Sequence, residues 1–520
     1  MQLSSVDIAV VAIYVIVIVI LAQLVSRKKG GQEKTTEDYF LAGKSIPWWA
    51  IGASLIAANI SAEQIIGMSG AGYAVGLGIA SYEWVSALIL IVVAKYILPI
   101  FLRHRIYTMP QYLEQRYDHR VRMVMAIFWL GIYTFINLAS VLWLGALAIN
   151  GLAGLDLSMS LVLLAVLAVA YSLYGGLKAV ALTDIVQVML LVVGGLMVTY
   201  YALDAIGAGA GPLAGFVTMT EQLPEKFDLI LSPDSPHYKD LPGISVLIGG
   251  MWVIGLSYWG FNQYIIQRAL AAKNLQEAQK GLTFAAYLKL LIPIIVVFPG
   301  IAGNLIVPGL DTPDTVYPEL MKLLPIGFTG LVFAALIAAI LSSLGSMMNS
   351  VATIFTMDIY RHFKPDTENR VLVLIGRIAA VVAITIAVIV ARPLLGDSPQ
   401  AFQFIQEFTG FFTPGIVVLF LFGMFWKRTT PNAALTAAIG SFVLSLAFKI
   451  WWPELPFMDR VGLVFFLCAG LAVSLSLRTR YQAEHGVAKI GEDEFKTTAS
   501  FKLAAVGIVI ILAALYATWW

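Results

Sequence analysis

Four polar side chains, Asn59, Ser61, Glu63 and Gln64, stand inside an otherwise apolar run, ASLIAANISAEQIIGMSGAGYAVGLGIASYEWVS at 53–86. A polar group at bilayer depth is costly unless it lines a cavity or finds a partner, and such residues mark solute or ion paths by default. Amides and carboxylates offer the donors and acceptors that a hydroxylated solute requires. Gly67, Gly70, Gly72, Gly76 and Gly78 weaken helix continuity around them. An apolar segment interrupted in this way is the sequence pointer to a transporter binding site.

Glu83 and Lys289 are the next hardest residues to place. Glu83 lies in Ser-Tyr-Glu-Trp near the outer end of one apolar span, and Lys289 about eight residues into another. Either could snorkel to an interface. The alternative is a shared polar cavity, in which a carboxylate accepts from solute hydroxyls and an ammonium donates to them. Lys95 and Arg377 lie close to span ends and read as interfacial. In the run 338–346, AAILSSLGS, the residues Ser342, Gly345 and Ser346 share one helix face. Small residues there allow close helix packing. They also suit a hard cation such as sodium, which takes neutral oxygens; an unwound stretch at 57–60 would add free carbonyls. Asp184 reads as the N-cap of a span, in competition with Thr183, or as an acid near a cation exit route. The aromatics Tyr82, Trp84, Tyr258, Trp259 and Phe402 flank these positions, and Gln406 and Glu407 add another polar pair.

Elements that could carry such residues are plentiful. The 520 residues are 59% hydrophobic and only 12% charged, with net charge +2, a balance suited to a polytopic membrane protein and not to nucleic-acid binding. The one cysteine, Cys468, lies in an apolar run and reads as packing. Five histidines give no metal-ligand spacing, and no nucleotide-binding loop or catalytic cluster is visible, so an enzyme is not expected. About fourteen apolar spans are expected, centred on 6–25, 48–72, 79–102, 123–149, 157–174, 183–203, 244–266, 282–306, 327–357, 372–390, 402–426, 433–449, 462–477 and 503–519. Counting loops by this scheme puts about 24 basic residues on one side, Arg116 and Arg268 among them, against about six on the other. The positive-inside rule then places both termini outside. The loop 204–242 contains a short helical run near 215–225. Two interrupted spans, the second and the seventh, lie five spans apart and so run in opposite directions, as an inverted five-helix repeat requires.

The chain resembles the sodium/solute symporter family, within it the bacterial sodium–galactose or sodium–glucose type. The matching blocks are TEDYFLAGKSIPWWAIGASLIAANISAEQ (35–64), IASYEWVSA (79–87), YGGLKAVALTDIVQV (174–188), YWGFNQYIIQRALAAK (258–273), FAALIAAILSSLGSMMNSVATIFTMDIY (333–360) and AFQFIQEFTG (401–410). The resemblance implies an all-α polytopic fold of about fourteen helices with a LeuT-like core. Residues 1–520 would form one transporter domain: an extra N-terminal helix and loop at 1–47, repeats at 48–205 and 243–427, and C-terminal helices at 428–520. It implies a sodium site at the carbonyls of Ala57, Ile60 and Ala339 and the hydroxyls of Ser342 and Ser343, with Asp184 on the release route. Sugar contacts would fall on Asn59, Glu63, Gln64, Glu83, Ser86, Lys289 and Gln406. Tyr258 would stack on the sugar as the inner gate, and Met68, Tyr82 and Phe402 would form the outer gate.

Two departures bear on substrate and coupling. The galactose type carries an asparagine where this chain has Gly255, which admits glucose, another hexose or an inositol. Members that use a second sodium carry a serine or threonine hydroxyl where this chain has Gly345, so one sodium is expected. The implied function is sodium-coupled import of a monosaccharide or polyol across the cell membrane. A passive facilitator and proton coupling through Asp184 or Glu83 are the competing readings.

Overall fold

The computed structural model describes residues 3–26, 46–104, 106, 108–396, 400–479, 481–483 and 495–520, without the side chains at 15, 18, 19, 21–26 and 173–184. The helices follow in order as α1 (Ser5–Ser26), α2 (Trp48–Asn59), α3 (Glu63–Ala74), α4 (Leu77–His104), α5 (Met109–Arg116), α6 (His119–Ala153) and α7 (Leu157–Ile206). They continue as α8 (Pro212–Gln222), α9 (Gly250–Leu256), α10 (Gln263–Leu270), α11 (Leu275–Ile306), α12 (Val316–Met321), α13 (Phe328–Phe363) and α14 (Asn369–Leu395). The last are α15 (Ala401–Thr409), α16 (Thr413–Phe425), α17 (Pro431–Trp451), α18 (Phe457–Leu477) and α19 (Ala499–Thr518). Among the described residues nine helices are long and apolar enough to cross a membrane, or eleven if each of two bent pairs counts as one span. Helices dominate because lipid cannot hydrogen-bond a peptide group, so each span must satisfy its own backbone.

The breaks fall where polar side chains replace ladder bonds. The pair α2 and α3 is bent by 62°. Ile60 is extended at φ −73° and ψ 93°, and its N–H still reaches the Ile56 carbonyl at 2.7 Å. The next donor, the Ser61 N–H, goes to Gln64 Oε1 at 3.3 Å, so the ladder stops at the Ala57 carbonyl. The seventh expected span is also interrupted: α9 leads through a π-turn at Ser257–Phe261 to Asn262, which is extended before α10 begins. The turn from α3 to α4 needs Gly76, whose φ is +105° and whose absent Cβ would strike the Lys226 carbonyl. The α15/α16 pair bends by 45°.

Helix α13 is buried along nearly its whole length, and α11 packs against α2, α3, α4 and α7. Helix α7 is capped by Asp156, which accepts from the Ser158 and Met159 N–H groups. Its two arms meet α13 in opposite order. Tyr171 and Ser172 lie against Gly345, whereas Gly194 lies against Val332, toward the α13 start. Leu164 sits with Ile340 on Gly145, so from 164 to 172 the chain runs with α13 and from 172 to 194 against it. Asp184, however, does not cap a helix: it lies within the α7 range. Its side chain, and the basic residues at 27–29, 34 and 44, lie outside the described residues.

Two arginines counted as loop charges are buried instead. Arg116 donates from Nε to the Gly423 carbonyl (2.6 Å) and from Nη2 to those of Trp426 (3.0 Å) and Thr429 (3.2 Å). It neutralises the carbonyl end of α16, where helix geometry leaves acceptors unfilled and the macrodipole favours a cation. Arg268 bridges three elements, giving Nε to Ser54 Oγ (2.7 Å), Nη2 to Ser346 Oγ (2.6 Å) and Nη1 to the Tyr264 carbonyl. The short helix expected at 215–225 is α8, three residues earlier at each end.

Candidate functional site

A cavity opens beside the two helix breaks. It is lined by Asn59, Glu63 and Gln64 from the α2/α3 break and by Tyr82, Glu83 and Ser86 from α4. The interrupted seventh span adds Gly255, Tyr258, Trp259 and Asn262; α11 adds Lys289, and α15 adds Phe402 and Gln406. Met68 lines it too. Every residue expected to contact sugar or form a gate therefore reaches one cavity, from five separate stretches of chain. Interruption brings in two of these stretches, the α2/α3 break and the seventh span, and the packing of α11 on α2, α3 and α4 brings Lys289 to them.

The polar groups form a connected set. The Lys289 ammonium donates to both Glu83 Oε2 and Asn59 Oδ1, and all three residues are buried. The ammonium also lies 4.8 Å from the centre of the Trp259 ring, a favourable cation–π placement. Asn59 Nδ2 donates to Tyr258 Oη at 3.1 Å, and Tyr264 Oη donates to the same oxygen at 2.7 Å. Tyr258 is thus held by hydrogen bonds. Its ring meets Trp259 edge-on at 5.1 Å. Two cavity acceptors, Glu63 Oε1 and Asn137 Oδ1, are buried with no partner among the described residues. Such atoms leave acceptors open to water or to a ligand that donates hydrogen bonds.

One end of the cavity is closed by a Tyr82–Phe402 edge contact with ring centres 5.0 Å apart, backed by a Tyr82 Oη to Gln403 Oε1 hydrogen bond of 3.3 Å. Over it lies the connection between α11 and α13. Asp314 there is buried, accepts the Ala401 N–H at the start of α15 (3.0 Å) and abuts Gly70 of α3. Burial pushes its carboxyl up to about 7, against the lowering pull of the Ala401 N–H. A raised acid pKa stabilises the fold below the unfolded value of 3.8 and loses that contribution as pH climbs through about 7. Asp314→Asn keeps an acceptor for Ala401 without the charge. The expected result is a higher thermal midpoint than wild type at pH 8 and little difference at pH 5. Equal shifts at both pH values would contradict it.

Beside the cavity, Ser343 Oγ donates to the Ala58 carbonyl at 3.2 Å, pinning α13 against the end of α2. Ala57, Ile60, Ala339, Ser342 and Ser343 are all fully buried around this junction. The oxygens are neutral, the chemistry that suits a monovalent hard cation. No cluster of three His, Cys, Asp or Glu side chains capable of holding a metal occurs among the described residues. Behind the junction, Ser346 Oγ donates to the Ser342 carbonyl (2.8 Å) and receives Arg268. Glu407 turns away from the cavity to Arg460 (2.7 Å) and Lys449 (2.8 Å). Sequence reading missed Asn137, Met251, Ile254, Asn262, Thr409 and Thr413 in the lining. Asn137 carried a usable signal, an amide inside an apolar run; the apolar ones carried none.

Comparison with known proteins gives consistent findings. Residues 39–440 match the model of the sodium:solute symporter family. The chain is 50% identical to a sodium/glucose cotransporter of Vibrio parahaemolyticus, over 100% of this chain and 99% of that one. It is 33% identical to the human sodium/myo-inositol cotransporter 2, over 85% of this chain and 69% of that one. Among solved structures, a Na⁺-coupled sialic acid symporter in a substrate-bound outward-open state superposes with TM-score 0.81 at 22% identity, covering 93% of this chain and 99% of that one.

Proposed function

This chain belongs to the sodium:solute symporter family, and from that premise we propose how its cavity works. The protein is a sodium-coupled symporter of a monosaccharide of the glucose and galactose class, embedded in the membrane as a multi-pass protein. The observation that carries the site reading is the meeting of Asn59, Glu83 and Lys289 with the orphaned Glu63 oxygen in one cavity, next to the Ser343–Ala58 junction.

Sodium takes the carbonyls of Ala57, Ile60 and Ala339 and the hydroxyls of Ser342 and Ser343, bracing the broken second span against α13. The sugar takes Asn59, Glu63, Gln64, Glu83, Ser86, Lys289 and Gln406, with Tyr258 as inner gate and Met68, Tyr82 and Phe402 as outer gate. Sodium binds first and favours the outward-open form; sugar then closes both gates. Opening inward loosens the sodium junction, and both solutes leave past Asp184. Coupling arises because each solute binds one state more tightly than the other. The stoichiometry is one sodium per sugar: a hydroxyl-bearing side chain at Gly345 would crowd Ser172 Oγ and the Tyr171 ring. Both termini lie outside the cell membrane. The chain makes fourteen crossings, with inverted repeats at 48–205 and 243–427 flanked by 1–47 and 428–520.

Glucose is favoured over galactose by the wall at Gly255. Glycine offers the cavity no amide there, and a side chain at 255 fits only if the Cδ1 tip of the neighbouring Ile89 swings aside, which a flexible terminal methyl can do. Gly255→Asn should shift the ratio of galactose to glucose uptake toward galactose by about tenfold, the worth of one added hydrogen bond to a sugar hydroxyl. Competition uptake with both labelled sugars reads this; an unchanged ratio would remove Gly255 from the specificity set. An inositol reading has the myo-inositol relatives in its favour, and inositol uptake exceeding that of both sugars would select it.

A further inference from the structure

The helix carrying the outer gate has a second face that the transport cycle does not use. On α15, Phe402, Ile405, Gln406 and Thr409 face the sugar cavity, while Phe404 and Phe408 line a second groove that shares only Ile132 with it among the described residues. This groove is walled by Ile127, Phe135, Leu395, Phe412 and Phe442, with Ser140 as the one polar residue among the described lining. It opens sideways, since Ile127, Phe135 and Phe442 are exposed on a surface that faces hydrocarbon. At one end stand two cations. Lys449 Nζ lies 5.5 Å from the Phe408 ring centre and 5.9 Å from that of Phe411, and the Arg460 guanidinium lies 5.1 Å from Phe411. They share a single carboxylate, Glu407, so the cluster keeps one net positive charge. Just beyond Lys449, Trp451 and Trp452 are exposed at the end of α17, the placement of an aromatic belt at the headgroup level.

We propose that this groove is a binding site for one anionic glycerophospholipid, its acyl chain between Phe135, Phe404, Phe408 and Phe442 and its phosphate at the exposed Lys449, with the buried Arg460 adding charge from behind. The charge balance selects the headgroup: a phosphate completes a cluster left with one excess cation, and cations near the membrane surface attract anionic lipid. The apolar depth selects the tail, because each methylene removed from water gains free energy in such a slot. The lipid would lie directly behind the gate helix, separated from the sugar by the thickness of α15.

Native mass spectrometry of the full-length protein, released from nanodiscs with equal phosphatidylglycerol and phosphatidylcholine, tests this apart from transport. Wild type should retain one phosphatidylglycerol in preference to phosphatidylcholine. Gly131 borders the groove and a Cβ there would meet nothing within 4 Å, so Gly131→Phe should fill the slot and abolish that retention. Lys449→Gln, at a partly exposed position, should cut the preference about fivefold, the worth of one surface cation. Equal retention of the two lipids by wild type would overturn the proposal. So would undiminished retention in Gly131→Phe, or an unchanged preference in Lys449→Gln, which needs no groove-filling variant to fold.

Discussion

Lys289→Met is expected to abolish sodium-driven sugar uptake and to cost roughly 3–5 kcal/mol of stability, the penalty for leaving one partner of a buried ion pair uncompensated. The side chain is 1% exposed and is the donor that both Glu83 and Asn59 share. Methionine preserves the apolar stem and removes the charge, so the Glu83 carboxylate is left in a cavity where no other ammonium reaches it among the described residues. The pair need not be there for stability: a well-packed neutral pair is often as stable as a buried ion pair. Glu83→Gln/Lys289→Met should therefore recover most of the thermal midpoint while uptake stays at least about a hundredfold below wild type, two charge-assisted hydrogen bonds to substrate having gone. Thermal midpoints and initial uptake rates measured together separate the two effects. A double variant that is stable and transports normally would show that the pair is structural.

The second large effect lies at the helix junction. Ser343→Ala should raise the sodium concentration for half-maximal uptake by about ten- to a hundredfold, the range for one hydrogen-bonding or ligating oxygen facing a charge. Sugar affinity measured at saturating sodium should change far less. The hydroxyl touches the Ala58 carbonyl at 3.2 Å, where α2 gives way to its break, so its loss weakens the surface that a cation would brace. Gln64→Ala is the companion: it should weaken sugar binding strongly and change the sodium response much less than Ser343→Ala does, since Gln64 lines the cavity and acts on the break only by holding the Ser61 N–H. Identical sodium responses in Ser343→Ala and wild type would move the cation elsewhere.

Much of the site was legible because lipid makes polarity conspicuous. Asn59, Glu63, Gln64, Glu83 and Lys289 stand out in apolar runs, and all of them reach one cavity. The breaks near Asn59 and in the seventh span were legible too, from glycine and polar residues where a helix should continue. Pairing was not. Nothing in a linear chain says that Lys289 sits between Glu83 and Asn59, more than two hundred positions away, since that depends on how α11 packs on α2 and α4. Gln406 and Glu407 read as one polar pair, yet adjacent helical residues point about 100° apart, and only Gln406 enters the cavity. The burial of Arg116 and Arg268 was not legible, because a basic residue at a span end normally meets water; here carbonyls at the α16 terminus and the hydroxyls of Ser54 and Ser346 take that role.

Uptake of labelled glucose and galactose by the purified protein in liposomes, under an inward sodium gradient or an equal potassium gradient, tests the central claim most directly. Accumulation of one sugar above its equilibrium level with sodium, and its absence with potassium, is the expected result. Equal uptake in the two gradients, stopping at equilibrium, would contradict sodium coupling and make the protein a facilitator.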